Sequence, residues 1–285
     1  SAFKPFVYLT AFENKYSPYD TISNEKKTYA GGWSPKNYGG TSGGKVTLEE
    51  ALVHSMNIPT IDLADKVGMS KILATAEACG ISTLVKDGKA NDNNLAASIG
   101  GLTNGVSLID MAKAYSVFAN GGKLVEPTAI LKVVDRNGNV LEDHSQTAPG
   151  KQVVSENAVY RLTSILEEVV SRGTGGTAAG KTGTTDDEHD AWFVGYTPEL
   201  VTAVWIGDDT STNAGYTGGT IPAAIWRDFM SVALGQYKSK SFEIPDSVRA
   251  EMAKAREAQA KKEAEDKAKA EKEKKDKEKK SAGSK

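Results

Sequence analysis

What this 285-residue sequence lacks narrows it before any motif is read. It holds one cysteine, so no internal disulfide can form. Cys79 lies in the helically spaced apolar stretch ILATAEACGI, which predicts a buried structural thiol rather than a reactive one. No run approaches the roughly 20 apolar residues needed to cross a bilayer. No leader of secretory type opens the chain, and as it stands it is expected neither to export nor to anchor itself. Positive charge is not in excess: 35 Lys and Arg stand against 37 Asp and Glu, a formal net charge of −2. Binding a phosphate backbone calls for a clustered basic surplus, so nucleic acid is excluded as the main partner. From about Val248 onward, large apolar residues all but vanish among Lys, Glu and Ala. Such a segment cannot offset its ordering entropy by burial. It is expected to be a solvated tail, forming transient helix through i,i+4 Glu/Lys pairs, with no a/d seam for a coiled coil.

The rest has the composition of a folded domain, 39% hydrophobic and 25% charged over the whole chain. The expected division is a domain over 1–246 and the tail over 247–285. Residues from Ala2 to about Asn14 read as a helix, with Pro5 in the first turn, where its missing N–H does no harm. Lys15 to Val46 show no sustained period and read as a long functional loop. Helices follow after Thr47, whose spacing to Glu50 fits a capping box, at Pro59, after Ser70, and after Ser107 with Asp110. Asn137-Gly138 between apolar runs predicts a β-hairpin. A long amphipathic helix runs from Ser155 to about Arg172. Then the period becomes that of strands: AAGKTGTT, DAWFVGYT and LVTAVWIGDD, close enough in sequence to be antiparallel. IPAAIWRDFMSVAL should be a helix packed on that sheet.

Three short motifs carry chemistry if the fold brings them together. In SAFK, a serine hydroxyl needs a base to take its proton. Lys4 lies three residues on, on the same helical face as Ser1. A lysine can be that base only if burial or a second cation keeps it neutral part of the time. In SMN, at a break between helices, Ser55 can relay a proton. Asn57 can accept from Lys4 and donate to a substrate carbonyl. In KTG, Lys181 supplies the second cation, and Gly183 lets a substrate backbone approach the strand.

In this order, on helix start, inter-helix loop and strand, the motifs resemble those of penicillin-binding proteins, specifically the transpeptidase domain of the class A, bifunctional type. TLEEALVHSMNIPTIDLA, TNGVSLIDMAKAYSVFANGG, AGKTGTTDDEHDAWFVGYTPELVTAVWIGDD and IPAAIWRDFM also resemble the family's pattern, over roughly Ser1 to Gln236. The resemblance implies an α/β (α+β) serine acyltransferase fold of penicillin-binding/β-lactamase type, an antiparallel sheet with packed helices plus a helical lobe. It implies that Ser1 is acylated, that Lys4 and Ser55 handle its proton, and that Asn57 holds the donor peptide. It further implies that Lys181 and Thr182 line the strand side, and that the backbone N–H groups of Thr184 and Ser1 form the oxyanion hole.

The implied reaction is D,D-transpeptidation: attack on the penultimate D-Ala carbonyl of a peptidoglycan stem peptide ending in D-Ala-D-Ala, loss of D-Ala, and transfer to a neighbouring amine. The site would be open to β-lactams, with no cofactor or metal, and cell-wall synthesis proteins are candidate partners. The implied location is the extracytoplasmic face of the bacterial cell membrane. Because the family places its nucleophile mid-chain, after a helix and two sheet strands, the expectation is a chain cut at its nucleophile, its N-terminal strands and membrane anchor absent, from a parent that is also a glycosyltransferase.

Rival readings differ in what they need. A fragment without those strands can be a catalytically incompetent penicillin-binding piece. A serine β-lactamase-type hydrolase shares the three motifs but needs a deacylating Glu in an E-x-x-x-N loop. None of Glu77, Glu126, Glu142, Glu156, Glu167 or Glu168 has Asn four residues on. An N-terminal nucleophile hydrolase would use the Ser1 amine and leave SMN and KTG unexplained. The TDDEHD run with His189 reads as a solvated strand connection rather than a metal site. His54 is expected to point away from Ser55. Trp192, Trp205 and Trp226 read as core and sheet packing, whereas Trp33 and Tyr38 are the candidates for cleft-edge contacts.

Overall fold

The computed structural model describes residues 1–145, 150–174, 178–185, 188–208, 215–238 and 240–282. They form two units, Ser1–Glu243 and Ile244–Lys285. The first is built around helix α1 (Lys4–Glu13), in which every residue from Lys4 to Phe12 is buried. A helix apolar on all sides belongs in the middle of a core, and α1 packs against α3 (Asn57–Val67), α4 (Met69–Ala78) and α6 (Glu156–Thr174). Pro5 sits in its first turn, and the Lys4 N–H donates to the Ser1 carbonyl at 3.1 Å, so Ser1 opens the turn that leads into the helix.

The predicted caps are present where a hydroxyl meets a free N–H. Thr47 Oγ1 accepts from Glu50 N at 3.0 Å at the head of α2 (Leu48–Val53), and Ser107 Oγ from Asp110 N at 3.1 Å at the head of α5 (Leu108–Ala119). Ser70 caps nothing: α4 begins at Met69 after Gly68, and the Ser70 hydroxyl reaches Asn93 instead. The stretch read as a loop over Lys15–Val46 contains a short antiparallel pair, β1 (Thr21–Ser23) with β2 (Lys45–Thr47). Strands of three residues are too short to show an alternation in sequence. β3 (Lys123–Leu124) pairs with β6 (Lys151–Gln152). The hairpin at Asn137-Gly138 is formed by β4 (Lys132–Val134) and β5 (Val140–Asp143), with Gly138 at φ 84° in its turn.

The main sheet is antiparallel in the order β7 (Ala179–Thr184), β8 (Ala191–Tyr196), β9 (Val201–Ile206). One face is covered by α7 (Ile221–Ala233): Trp226 lies 5.1 Å, ring to ring, from Phe193 and donates to the Gly195 carbonyl. A Cβ on Gly195 would come within 2.8 Å of that indole, which is why glycine stands there. The other face meets α5 through Tyr115 and Tyr196, whose rings join Phe6 of α1 in a buried aromatic cluster. Cys79 is fully buried, and burial pushes its thiol up to about 12, as expected of a structural cysteine. The second unit consists largely of one helix, α8 (Asp246–Ala282), with exposed i,i+4 pairs such as Glu257 with Lys261 at 2.9 Å.

Candidate active site

The site is assembled from three elements that are far apart in sequence. Lys4 is wholly buried in the first turn of α1. Its ammonium donates to the Ser55 carbonyl at 2.6 Å, to Ser55 Oγ at 3.2 Å and to Asn57 Oδ1 at 2.7 Å. Burial, and then the charge of Lys181, hold the Lys4 pKa well below that of an ordinary lysine. The two conditions that the sequence demanded of a lysine base are both met. The shared helical face suggested Ser1 as partner for Lys4, but these three bonds run to the SMN segment.

Ser55 lies in the break between α2 and α3 with φ 52°, a left-handed conformation uncommon for a residue with a side chain. The chain reverses there, with Ser55 N bonded to the Leu52 carbonyl and Met56 N to that of Ala51. The result is that the Ser55 carbonyl and hydroxyl both meet Lys4. Asn57, the first residue of α3, accepts from Lys4 as predicted. Its amide also donates to the Lys36 carbonyl at 2.8 Å, a partner the sequence did not disclose.

Lys181 sits on β7 opposite Val194, almost fully buried, with its ammonium 2.8 Å from Ser55 Oγ and 3.1 Å from the Thr182 carbonyl. Desolvation pushes its pKa down to about 7. Gly183 is needed for close approach: a Cβ there would lie 3.1 Å from Ala2 N and 3.2 Å from Ala2 Cβ. Its absence lets β7 lie against the turn that carries Ser1. That turn is held on two further sides, by Ser1 N donating to the Ile99 carbonyl at 2.8 Å and by the Tyr115 hydroxyl donating to the Ala2 carbonyl at 2.8 Å. The Ser1 nitrogen, which the resemblance assigned to an oxyanion hole, is thus bonded to the 95–99 turn. Thr184 accepts on its side-chain oxygen from Gly218 N at 3.0 Å.

Ser1 and Thr184 border two cavities. One, of about 670 Å³, contains Ser55, Asn57, Thr182 and Tyr38 in its walls. His54, the C-cap of α2, is also in its wall. The second, of about 440 Å³, is bordered by Gly183, Trp192 and Trp205. Those two tryptophans, read as core and sheet packing, do pack on each other across neighbouring strands at 6.4 Å, ring to ring, but they are not core: Trp192 is half-buried, and Trp205 is 39% exposed with Nε1 donating to Asp190. Trp226 is core, as read. Of the two loop aromatics, Tyr38 reaches the cleft, whereas Trp33 packs on Tyr29 at 5.8 Å. Part of the TDDEHD run, residues 186–187, lies outside the described residues; Glu188, which follows, is at φ 57° on the cleft wall.

This arrangement can activate a serine hydroxyl without histidine or metal. Two lysines with depressed pKa values share one relay hydroxyl beside a cleft that Ser1 borders. The family described as penicillin binding protein transpeptidase domain matches residues 1–231. Penicillin-binding protein 1A of Aquifex aeolicus is 36% identical over 259 residues, covering 86% of this chain and 34% of that protein. Penicillin-binding protein 1F of Bacillus subtilis is 34% identical, covering 82% of this chain and 34% of its own length. The chain therefore spans about a third of the curated relatives it matches. Among solved structures, PonA1 of Mycobacterium tuberculosis in complex with penicillin V superposes with a TM-score of 0.78 at 29% identity, over 86% of this chain and 71% of that one.

Proposed function

Because this chain belongs to the penicillin-binding protein transpeptidase domain family, we propose that it is the acyl-transfer part of a D,D-transpeptidase. The observation that carries the reading is the convergence of Lys4 and Lys181 on Ser55, beside the cleft that Ser1 borders. In the proposed reaction, Ser1 Oγ attacks the penultimate D-Ala carbonyl of a stem peptide as its proton passes to neutral Lys4. The tetrahedral intermediate collapses to an ester, and the departing D-Ala nitrogen takes a proton through Ser55 from the lysine pair. An acceptor amine then attacks the ester carbonyl, Ser1 recovers its proton, and a cross-link is left. The amide of Asn57 and the edge of β7 at Thr182 to Thr184 hold the donor peptide, and the Thr184 N–H receives the oxyanion, joined by the Ser1 N–H once it leaves the Ile99 carbonyl. A β-lactam follows the first half of the same path and stays on Ser1. Substrates of this kind lie outside the cell, so the proposed workplace is the extracytoplasmic face of the membrane; among the described residues no helix is long and apolar enough to cross it.

The test is covalent labelling with a fluorescent penicillin. Wild-type protein is expected to take up one label at Ser1, stable over minutes. Ser1→Ala is expected to take up none, and Lys4→Ala to label more slowly by roughly 10²–10⁴-fold, the usual weight of a general base. Retained labelling in Ser1→Ala overturns the assignment. Rapid hydrolysis of the label favours a hydrolase.

A further inference from the structure

Two consecutive residues of the long 15–46 segment grip two consecutive residues of α3. The Lys36 carbonyl accepts from Asn57 Nδ2 at 2.8 Å, and Asn37 Oδ1 accepts from Ile58 N at 2.9 Å. Met56, the residue that precedes α3, makes no side-chain cap. The open N–H of Ile58 is therefore satisfied by an asparagine some twenty positions earlier in the chain. Asn37 is 6% exposed, and every side of its amide is engaged: Nδ2 donates to Asn24 Oδ1 at 2.7 Å and to the Thr41 carbonyl at 2.7 Å. Asn24 is itself 5% exposed and fastened at both backbone ends to Gly43 and Gly44. A buried amide with all its groups paired has one orientation, since turning it over would set two acceptors against each other and leave a donor facing Ile58 N–H.

We infer that Asn37 is a positioning residue for acylation, which acts through Lys36 and the start of α3 to hold the Asn57 side chain with its oxygen on Lys4. The chain of contacts is short. Asn37 fixes the path of the backbone at 36–37, and the Lys36 carbonyl takes one N–H of the Asn57 amide. That bond determines which end of the amide is oxygen toward Lys4 Nζ, 2.7 Å away. Without it, the Asn57 amide is free to turn and present N–H groups to an ammonium. The remaining Asn57 N–H is the one left for a substrate carbonyl. Nothing in this role requires Asn37 to touch substrate.

The inference rests on the acyl-transfer reading, and its test separates the two. Penicillin acylation of Asn37→Ala, Asn37→Asp and Asn24→Ala is resolved into non-covalent affinity and the first-order acylation step. Amide hydrogen exchange at Ile58 is read alongside. Asn37→Ala is expected to slow the acylation step at least tenfold with affinity changed less than threefold, and to speed exchange at Ile58. Asn37→Asp keeps an acceptor for Ile58 N–H but sets a buried carboxylate against the Thr41 carbonyl, so Ile58 is expected to stay protected while the acylation step slows by less than in Asn37→Ala. Asn24→Ala removes the partner but not the cap and is expected to fall between wild type and Asn37→Ala; it carries the test if Asn37→Ala does not fold. Unchanged acylation in Asn37→Ala, or in Asn24→Ala if that carries the test, overturns the inference while wild-type labelling leaves the function standing. Wild-type protein that does not label, with Ile58 exchange still governed by Asn37, fails the functional reading alone. Loss of Ile58 protection in Asn37→Asp equal to that in Asn37→Ala also overturns it.

Discussion

Lys4 and Lys181 donate to the same atom: Ser55 Oγ lies 3.2 Å from one ammonium and 2.8 Å from the other. A hydroxyl can accept from two donors, but two buried like charges on one oxygen repel each other, and burial already disfavours each of them. The pair is thus poised to give up a proton near neutrality. That is the state a lysine base needs.

The acid limb of acylation should respond to Lys181 in a definite direction. The charge of Lys181 lowers the Lys4 pKa, so removing it allows Lys4 to hold its proton to higher pH. In Lys181→Met, the acid limb of the penicillin acylation profile is expected to move to higher pH than in wild type. A limb that stays in place or moves lower would show that Lys4 is not the titrating base.

Stability should carry the mark of the same burial. Lys181 titrates at about 7 in the fold against about 10.4 in an unfolded chain. Between those values the unfolded state binds a proton that the native state does not, so unfolding free energy rises with pH across this window and the gain is lost as pH falls through the folded value. The slope is at most about 1.4 kcal/mol per pH unit for one group. Denaturant titrations from pH 7 to 10 are expected to show a shallower rise in Lys181→Met than in wild type; equal slopes would contradict a neutralised Lys181.

Gly218 and Gly219 should part company. A Cβ at Gly218 would press on the Trp192 carbonyl oxygen and lie 2.5 Å from that of Gly183, both in paired strands that cannot yield, whereas one at Gly219 meets nothing nearer than the Thr182 methyl at 3.9 Å. Gly218→Ala is expected to cost about 1–3 kcal/mol, as overpacking does, and to slow labelling by lifting the segment off Thr184. Gly219→Ala is expected to melt as wild type does. Equal melting temperatures for the two would refute the packing argument.

Truncation after Met252 should change neither acylation rate nor melting temperature, because no apolar residue larger than alanine follows it. A fall of many degrees would show that the helix docks. The freed segment, as a peptide, is expected to lose helix as salt screens its Glu/Lys pairs.

The chemistry was legible because it depends on residue types that short motifs preserve. Ser1, Lys4, Ser55, Asn57 and Lys181 were singled out by three short motifs in an order that resembles a known family, and the antiparallel order of β7 to β9 followed from three strands with short connections. Less legible was anything set by a partner distant in sequence. The two-stranded pair inside 15–46 was missed because three residues carry no period. Trp192 and Trp205 pack on the sheet as read but border a cavity rather than the core, because an indole on a strand looks the same in sequence whether a helix or a cavity faces it. Asn24 and Asn37 gave no signal at all: an asparagine among Gly, Ser and Tyr reads as a turn residue until its neighbours are known.

By itself, then, the sequence determined which groups are present and which local shapes they take, since helix caps, glycine turns and apolar periods act over a few residues. Tertiary structure alone decided how the groups are charged and aimed. The depressed pKa values of Lys4 and Lys181 come from desolvation by the core and, for Lys4, also from the charge of Lys181, more than a hundred residues along the chain. The orientation of Asn57 comes from a carbonyl at Lys36. Electrostatics and hydrogen-bond geometry fall off over a few ångströms of space rather than along the chain, so they exist only once the core has closed.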